Sequence, residues 1–155
     1  MLLGFKRRFV PFVLDGSKTH TIRGERKNPP SVGQRCDCYV DPRQKTMRLL
    51  GRFRCVKVEV IEIFELRNGT FGIRIEGVDL SPEERNLLAW RDGFRDHGID
   101  GAFVSMMQFW MTTHGNNNRT ELFRFSGHII HWDPRVQVPI PSRKTKTAVV
   151  NWGMN

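Results

Sequence analysis

The sequence predicts an α+β fold in which a small, curved or barrel-like mixed sheet of five to six strands has helices around it. Segments with β-branched residues and a period of two dominate the first half of the chain, and the longest helical patterns come late. Because strands and helices do not alternate regularly, a doubly wound parallel sheet is not expected. The 155 residues, 18.1 kDa in mass, suffice for one hydrophobic core.

The chain begins with a predicted strand, a short helix and a second strand. Residues 1–5 form an apolar run of strand length, and apolar residues then recur at helical spacing over residues 9–13. Gly16 supplies a stop for that helix. Residues 19–25 include several β-branched side chains and alternate in chemistry, which predicts a strand with Thr21 and Arg23 on the same face.

Sequence patterns in the middle of the chain predict three further strands. The segments RCDCYV and GRFRCVKVEVIEIF are both strand-like, and a turn signal at residues 41–42 lies between them. Within the second segment, valines at 56, 58 and 60 alternate with Lys57, Glu59 and Ile61, which predicts one buried face and one largely wet face. After a turn signal at residues 68–69, the segment TFGIRIEG predicts another strand.

Two helices are predicted in the second half of the chain. The segment SPEE, which starts at Ser81, is a capping-box signature for a helix that Gly93 ends. A second helix is expected between Asp100 and Gly115, where methionine and tryptophan residues keep to one face. We expect this stripe to belong to the core.

Residues 120–132 predict a final long strand, and the chain changes character after it. The last segment contains prolines and a basic run at residues 143–146, and it has no hydrophobic period. We therefore divide the chain into one domain at residues 1–133 and a basic, proline-containing extension at residues 134–155.

The charge of the chain favours an anionic partner. Twenty-five Lys and Arg residues against sixteen Asp and Glu residues give a net charge of +9 and a pI near 10.2, which makes nucleic acid the leading class of partner. Three cysteines without a secretory leader indicate a reducing compartment, so a cytoplasmic location is expected. No apolar run approaches the roughly 20 residues that cross a bilayer, and no membrane partner is expected.

The cysteines raise the question of a metal site. Cys36 and Cys38 fall on one strand face and Cys55 lies on the next strand, so three thiolates and a histidine would suffice for zinc. The C-x-C spacing is not the usual structural zinc motif, and free cysteine is often a small core residue. We expect no metal and no cofactor.

The segment GSKTHTIR, residues 16–23, resembles the G-x-K-x-x-x-x-R signature of the ASCH domains, a family of the PUA-like superfamily. The match consists of Gly16, Lys18 and Arg23. Later segments extend the likeness to the bacterial and phage type, namely an A-x-x-D/E-G-F segment at Ala89, Asp92, Gly93 and Phe94, an aromatic helix at residues 103–110, and a closing G-x-x-x-x-W at Gly127 and Trp132. The resemblance covers residues 3–132 and leaves the extension out.

The resemblance implies a PUA-like β-barrel surrounded by helices, with a cleft that receives RNA or a nucleoside. Some members resemble non-catalytic RNA-binding modules, a small bacterial branch removes the acetyl group from acetylcytidine, and ribonuclease activity has been attributed to others. We therefore expect RNA or a modified nucleoside as the partner, and leave amide hydrolysis, RNA binding and ribonuclease activity open. A protein–protein adaptor with an incidental basic surface is a further alternative. The sequence does not specify the oligomeric state.

The amidohydrolase branch implies catalytic roles for Lys18, Thr21 and Asp92. That branch uses a lysine and a threonine spaced K-x-x-T together with a glutamate, and Asp92 takes the place of the glutamate with one methylene less. A threonine hydroxyl needs an adjacent base, which a lysine becomes when burial or a neighbouring cation lowers its pKa. Arg23 is expected to supply that cation and to stabilise an oxyanion.

The same region also suits binding without catalysis. Arg23, Arg26 and Lys27 would hold phosphates, and Tyr39 or Trp132 would stack an unpaired base. The basic turn of Arg43, Gln44 and Lys45 would extend the basic surface. For a ribonuclease, the available acids and bases near a 2′-hydroxyl are Tyr39, Lys45, His128 and His131. Taken alone, each of these residue types is also common on solvated strands and loops.

Overall fold

Seven strands in one mixed sheet and three α-helices make up the part of the chain that the structure, a computed structural model, describes: residues 1–115 and 121–139. The strands are β1 (Leu2–Phe5), β2 (His20–Gly24), β3 (Arg35–Val40), β4 (Arg48–Glu65), β5 (Phe71–Ile75), β6 (Val78–Asp79) and β7 (Arg124–Gln137). The helices are α1 (Val10–Leu14), α2 (Pro82–Asp92) and α3 (Ala102–His114), and one turn of 3-10 helix covers Arg7–Phe9. The predicted α+β class is confirmed.

The expected count of five to six strands was too low because of β6. Glu76 and Gly77 both have positive φ, at 49° and 79°, which is the backbone of a two-residue hairpin turn. This turn folds two residues back onto β5 as an antiparallel strand. A strand of two residues has no hydrophobic period, so sequence patterning does not detect it.

Strand β4 organises the sheet because its 18 residues are enough to pair with three neighbours. Its first part pairs with β3 and its last part with β5, both antiparallel, while β7 runs along the opposite edge. β1 joins β3 in parallel, and β2 pairs with β7. Within the described residues β1 and β2 form no ladder with each other, so the sheet is not closed and the predicted barrel is not confirmed.

Helix α2 has the ends that its sequence predicts. The Ser81 side chain accepts a hydrogen bond from the Glu84 backbone N–H, and the Glu84 side chain accepts one from the Ser81 backbone N–H. At the other end Gly93 is left-handed, with φ at 107°. A Cβ at Gly93 would lie 2.9 Å from the Phe9 ring, so the residue allows both the turn and the close approach of the 3-10 helix.

The core lies between the sheet and helices α2 and α3. Trp132 stacks on Phe53 and meets Phe5 edge-on, with ring centroids 5.9 and 6.0 Å apart. On the helical side Phe9 and Phe94 make an edge-on contact at 5.4 Å. The methionine and tryptophan stripe of α3 is buried, as predicted, through Met106, Met107 and Trp110.

The valines of β4 differ in burial, since Val58 packs against the core whereas Val56 and Val60 do not. Val56 and Val60 are each 49% exposed, whereas Cys55, Ile61 and Ile63 are fully buried. The pairing of β4 with β7 shifts register between Cys55 and Lys57, so the strict alternation that the sequence pattern predicts does not hold along the whole strand. In the middle of the strand Lys57 and Glu59 form an ion pair at 2.5 Å, and we call these two residues the polar seam of β4.

The three cysteines are free and buried. Burial raises the pKa of Cys36 to about 11 and that of Cys38 to about 12, so both are thiols at neutral pH. In the described part of the chain no cluster of histidine, cysteine and carboxylate side chains has the arrangement that a metal ion needs.

Strand β7 extends beyond the predicted end of the last strand. It continues through Asp133 and Pro134 to Gln137, which pairs with Phe53. The division of the chain at residue 133 stays a prediction, and the basic run at residues 143–146 lies outside the described residues. Among the helices that the structure describes, none combines the length and the apolar character that crossing a membrane requires.

Candidate functional site

A pocket of about 300 Å³ lies where β1 and β2 approach each other beside α3. The two strands do not pair there, and the Arg23 Nη2 of β2 instead donates a hydrogen bond to the Gly4 carbonyl of β1 at 2.5 Å. Small-molecule sites span roughly 300–1,000 Å³, so the pocket is large enough for a compact ligand. It is lined by Gly4, Phe5, Lys6, Phe9, Lys18, Thr21, Ile22, Arg23, Gly24, Asp92, Phe109, Trp110, Thr113 and His114.

A buried lysine–aspartate pair lies in this pocket. Lys18 is 2% exposed and Asp92 is 6% exposed. The Lys18 ammonium donates to the Asp92 backbone carbonyl at 2.5 Å and also to the Asp92 carboxylate. The structure therefore brings together two of the three predicted catalytic residues, which are 74 positions apart in sequence.

The pKa values of this pair shift toward the uncharged forms. Burial lowers the pKa of Lys18; Asp92 opposes this shift, and the positive charges of Arg23 and Arg95 add to it. Burial likewise raises the pKa of Asp92, and Lys18 opposes that shift. Burial disfavours the charged form of each partner. The Lys18 ammonium therefore gives up its proton more readily than it would in a solvated ion pair.

The turn that carries Lys18 is attached to the end of α2. Arg95 donates to the Trp90 carbonyl at 3.1 Å, and it reaches the Ser17 hydroxyl at 3.0 Å and the Ser17 carbonyl at 3.3 Å. Its guanidinium also lies 4.3 Å from the centre of the Phe12 ring. Arg95 thus ties the residue before Lys18 to the helix that ends in Asp92, which positions both members of the pair.

Thr21 is the third predicted catalytic residue, and it lines the same pocket. Its side chain is 5% exposed. Among the described residues its hydroxyl has no hydrogen-bond partner, so it is available to a ligand. Arg23, the predicted oxyanion partner, lines the pocket as well.

Sequence reasoning missed His20 as a neighbour of Asp92. His20 was not among the predicted site residues; it is buried, and its Nε2 lies 3.6 Å from the Asp92 carboxylate. That nitrogen has no hydrogen-bond partner in the described part of the chain. Strand alternation separates the faces of His20 and Thr21, yet both are buried because the end of α2 packs against this edge strand.

His20 continues the polar seam of β4. Its ring lies 5.4 Å from the ring of His131, and the His131 Nε2 lies 2.7 Å from the Glu59 carboxylate. Burial lowers the pKa of His20 well below its usual range, with Lys18 adding to the shift. Burial also lowers the pKa of His131, while Glu59 opposes that change. His20 is therefore neutral at physiological pH.

The C-terminal turns of α3 form the aromatic wall of the pocket. Trp110 stacks on His114 with ring centroids 4.5 Å apart, and Phe109 lies beside them in the lining. We assigned the tryptophan to the core alone; it is 5% exposed and contributes to both core and pocket. The spacing of residues 110, 113 and 114 places them on one helix face, a signal that sequence reasoning could have used.

The predicted binding residues do not all reach the pocket. Arg26 lies in an adjoining groove of about 870 Å³, which Arg23 also lines. Tyr39 is half-buried and Lys45 is exposed, and both lie outside the pocket and the groove. Trp132, the alternative stacking residue, is buried in the core.

Comparisons with protein-family models, with curated proteins and with solved structures found no match. The resemblance to the ASCH domains therefore rests on the motifs of this chain. The roles below are argued from the geometry of the pocket and from those motifs.

Proposed function

We propose that the chain is an ASCH-like domain of the PUA-like superfamily that hydrolyses the amide of an acetylated nucleoside such as acetylcytidine. One observation carries the proposal: the buried Lys18–Asp92 pair lines the same pocket as the Thr21 hydroxyl, which has no hydrogen-bond partner among the described residues. A buried ion pair is seldom worth more to stability than apolar residues of the same volume. Strongly shifted pKa values in a cleft are typical of functional sites.

The positions of the motif residues in the sheet also support the proposal. PUA-like domains close a small sheet into a barrel, and here the two strands that would complete the closure are joined by the Arg23 side chain at the Gly4 carbonyl. The signature residues Lys18 and Arg23 both lie at this gap. The site thus occupies the point where a barrel of this kind would close, and a reducing, cytoplasmic compartment fits the free cysteines.

The first chemical step is attack by Thr21. Its hydroxyl oxygen forms a bond to the acetyl carbonyl carbon while the neutral amine of Lys18 takes the hydroxyl proton, and the carbonyl electron pair moves to oxygen. The lowered pKa of Lys18 favours the neutral amine that this step needs. Arg23 faces the developing oxyanion, a type of contact that contributes roughly 3 kcal/mol to the transition state.

The second step releases the nucleoside and then acetate. The oxyanion collapses, the carbon–nitrogen bond breaks, and the Lys18 ammonium returns its proton to the departing amino group. Water then attacks the acetyl ester on Thr21, with Lys18 again taking a proton and the threonine hydroxyl re-formed as acetate leaves. Asp92 holds the Lys18 amine in place and shares its proton between these steps.

Ribonuclease activity has no comparable support. The four acids and bases that it would use lie outside both the pocket and the groove: Tyr39, Lys45, His128 and His131. His131 instead pairs with Glu59.

The test is acetate release from acetylcytidine by the wild-type protein, Lys18→Met and Arg67→Ala. Arg67 is an exposed cation outside both cavities, so its variant controls for loss of charge. We expect turnover by the wild type and by Arg67→Ala and none by Lys18→Met. Absence of turnover by the wild type would overturn the hydrolase and leave the non-catalytic RNA-binding module.

A further inference from the structure

We propose that the groove beside the pocket binds the phosphate attached to the nucleoside whose base enters the pocket. The substrate is then a nucleotide or an RNA rather than a free nucleoside. This inference rests on the proposed function, because it identifies the pocket as the site of the acetylated base.

The groove and the pocket are continuous. They share Gly4, Phe5, Lys6 and Arg23 in their linings. The groove, at about 870 Å³, is nearly three times as large as the pocket. A ligand held by its base in the pocket therefore extends past Arg23 into the groove, where its sugar and phosphate would lie.

Arg23 itself has an unused donor at this boundary. Its Nη2 is bonded to the Gly4 carbonyl, and its guanidinium lies 5.3 Å from the centre of the Phe5 ring. Its Nε is buried and has no hydrogen-bond partner among the described residues. Leaving a buried donor unpaired is unfavourable, so a phosphate or carbonyl oxygen at the boundary would satisfy it.

The charge of the groove is not compensated by its own carboxylates. Besides Arg23, the cations that line it are Lys6, Arg26 and Arg43. Its single acid is Asp41, which already accepts hydrogen bonds from Arg7 at 2.7 Å and from Thr46 at 2.9 Å. No ion pair joins Lys6, Arg26 or Arg43 to a carboxylate in the part of the chain that the structure describes.

The turn that carries Arg43 is held in a strained conformation. Asp41 and Arg43 both have positive φ, at 48° and 66°, in the left-handed region that residues other than glycine seldom occupy. The bonds of Arg7 and Thr46 to Asp41 stabilise this turn. Such strain persists where the surroundings enforce it, commonly at ligand sites, and here it fixes Arg43 at the edge of the groove.

The ligand chemistry that these groups recognise is a phosphate ester. Arginine binds phosphate through two parallel N–H donors, and charge-assisted bonds of this kind are stronger than neutral ones. The phosphate has two sources, the terminal group of a mononucleotide or the diester of an RNA. Both place an anion next to the same nucleoside.

The test compares kcat/KM for acetylcytidine, acetylcytidine 5′-monophosphate and a short single-stranded RNA with one acetylcytidine. The variants are Arg26→Ala/Arg43→Ala and, as a control with the same loss of charge, Arg67→Ala/Arg124→Ala, which changes exposed residues outside both cavities. We expect the phosphate to lower KM about tenfold or more through its charge-assisted bonds. Only Arg26→Ala/Arg43→Ala should lose this gain, with the free nucleoside unaffected.

The outcomes distinguish a mononucleotide from an RNA as the source of the phosphate, and they distinguish failure of the phosphate subsite from failure of the proposed hydrolase function. A gain for the monophosphate identifies a terminal phosphate, a gain for the RNA alone identifies a diester, and equal KM values for all three substrates would overturn the subsite. If no substrate is hydrolysed, the proposed function fails, and the subsite is tested by calorimetric binding of cytidine 5′-monophosphate against cytidine. Tighter binding of the monophosphate that Arg26→Ala/Arg43→Ala abolishes then supports it, and equal binding overturns it.

Discussion

The pocket and the groove share lining residues but differ in whether their charged side chains are buried or exposed. In the pocket, Lys18 is buried against Asp92, and the penalty of burial moves the pKa values of both toward neutrality. In the groove, Arg26 and Arg43 are exposed and face solvent without a carboxylate partner among the described residues. The comparison teaches that burial favours the uncharged forms, as proton transfer would require, whereas exposure leaves the charge available to an anion.

The largest expected effect on stability comes from breaking the buried pair. Lys18→Met leaves the Asp92 carboxylate buried without its cation, which typically costs about 3–5 kcal/mol. Urea unfolding should show this loss, and Lys18→Met/Asp92→Leu should recover much of it because neither charge is then buried. A single variant as stable as the wild type would mean that the pair is not buried in solution.

Gly93→Ala should disturb the pocket through its backbone. The substitution combines an unfavourable positive φ with a Cβ that lies 2.9 Å from Phe9, so we expect a loss of more than about 1 kcal/mol and lower activity through displaced Asp92. Gly77→Ala is the control, because Gly77 has a φ of 79° and open space around it. Equal losses in thermal unfolding would show that the contact with Phe9 does not matter.

The burial of His20 should make the stability of the protein depend on pH. Burial lowers the pKa of His20 in the folded protein, and the positive charges of Lys18, His131 and Arg91 add to this shift. At acidic pH the unfolded chain therefore binds a proton at His20 that the folded chain does not bind. The free energy of unfolding falls as pH drops below the ordinary histidine pKa of about 6.5.

We expect the free energy of unfolding to decline by up to about 1.4 kcal/mol per pH unit from this residue alone. His20→Gln should flatten the decline between pH 7 and pH 5 in urea titrations. Substitution of the exposed His97 is the control. If the free energy of unfolding of His20→Gln declined with pH as steeply as that of the wild type, another group would be responsible for the loss of stability at acidic pH.

The smallest effect is expected in the groove. Arg26→Ala removes an exposed cation without a described ion-pair partner, so the free energy of unfolding should change by no more than about 0.5 kcal/mol. The same variant should weaken binding of cytidine 5′-monophosphate. A destabilisation comparable with that of Lys18→Met would remove the distinction between pocket and groove.

Local signals predict the ends of α2 well. The capping box at Ser81 and the left-handed Gly93 depend on residues within one turn of each other, so a short window contains all the information. This matters for the site, since Asp92 is the last residue of that helix. The pocket membership of Lys18, Thr21 and Asp92 came from the family resemblance and not from periodicity.

What the sequence could not predict depends on contacts between distant segments. Tyr39 and Lys45 were expected to bind the ligand, but the sheet places them outside the pocket and the groove. His20 was not among the predicted site residues, but the packing of α2 on the edge strand brings it to Asp92. A pattern of period two gives the faces of a strand and not the elements that will cover them.

The most direct test of the account is the rate of acetate release by Thr21→Val, compared with the wild type at saturating acetylcytidine. Valine closely matches threonine in shape and lacks only the hydroxyl, and matched thermal unfolding would verify the fold. If Thr21 is the nucleophile, kcat should fall by at least about 10³-fold, since removal of a catalytic nucleophile has effects of this size or larger. A variant that retains wild-type kcat would contradict the assignment of Thr21 and with it the proposed use of the Lys18–Asp92 pair.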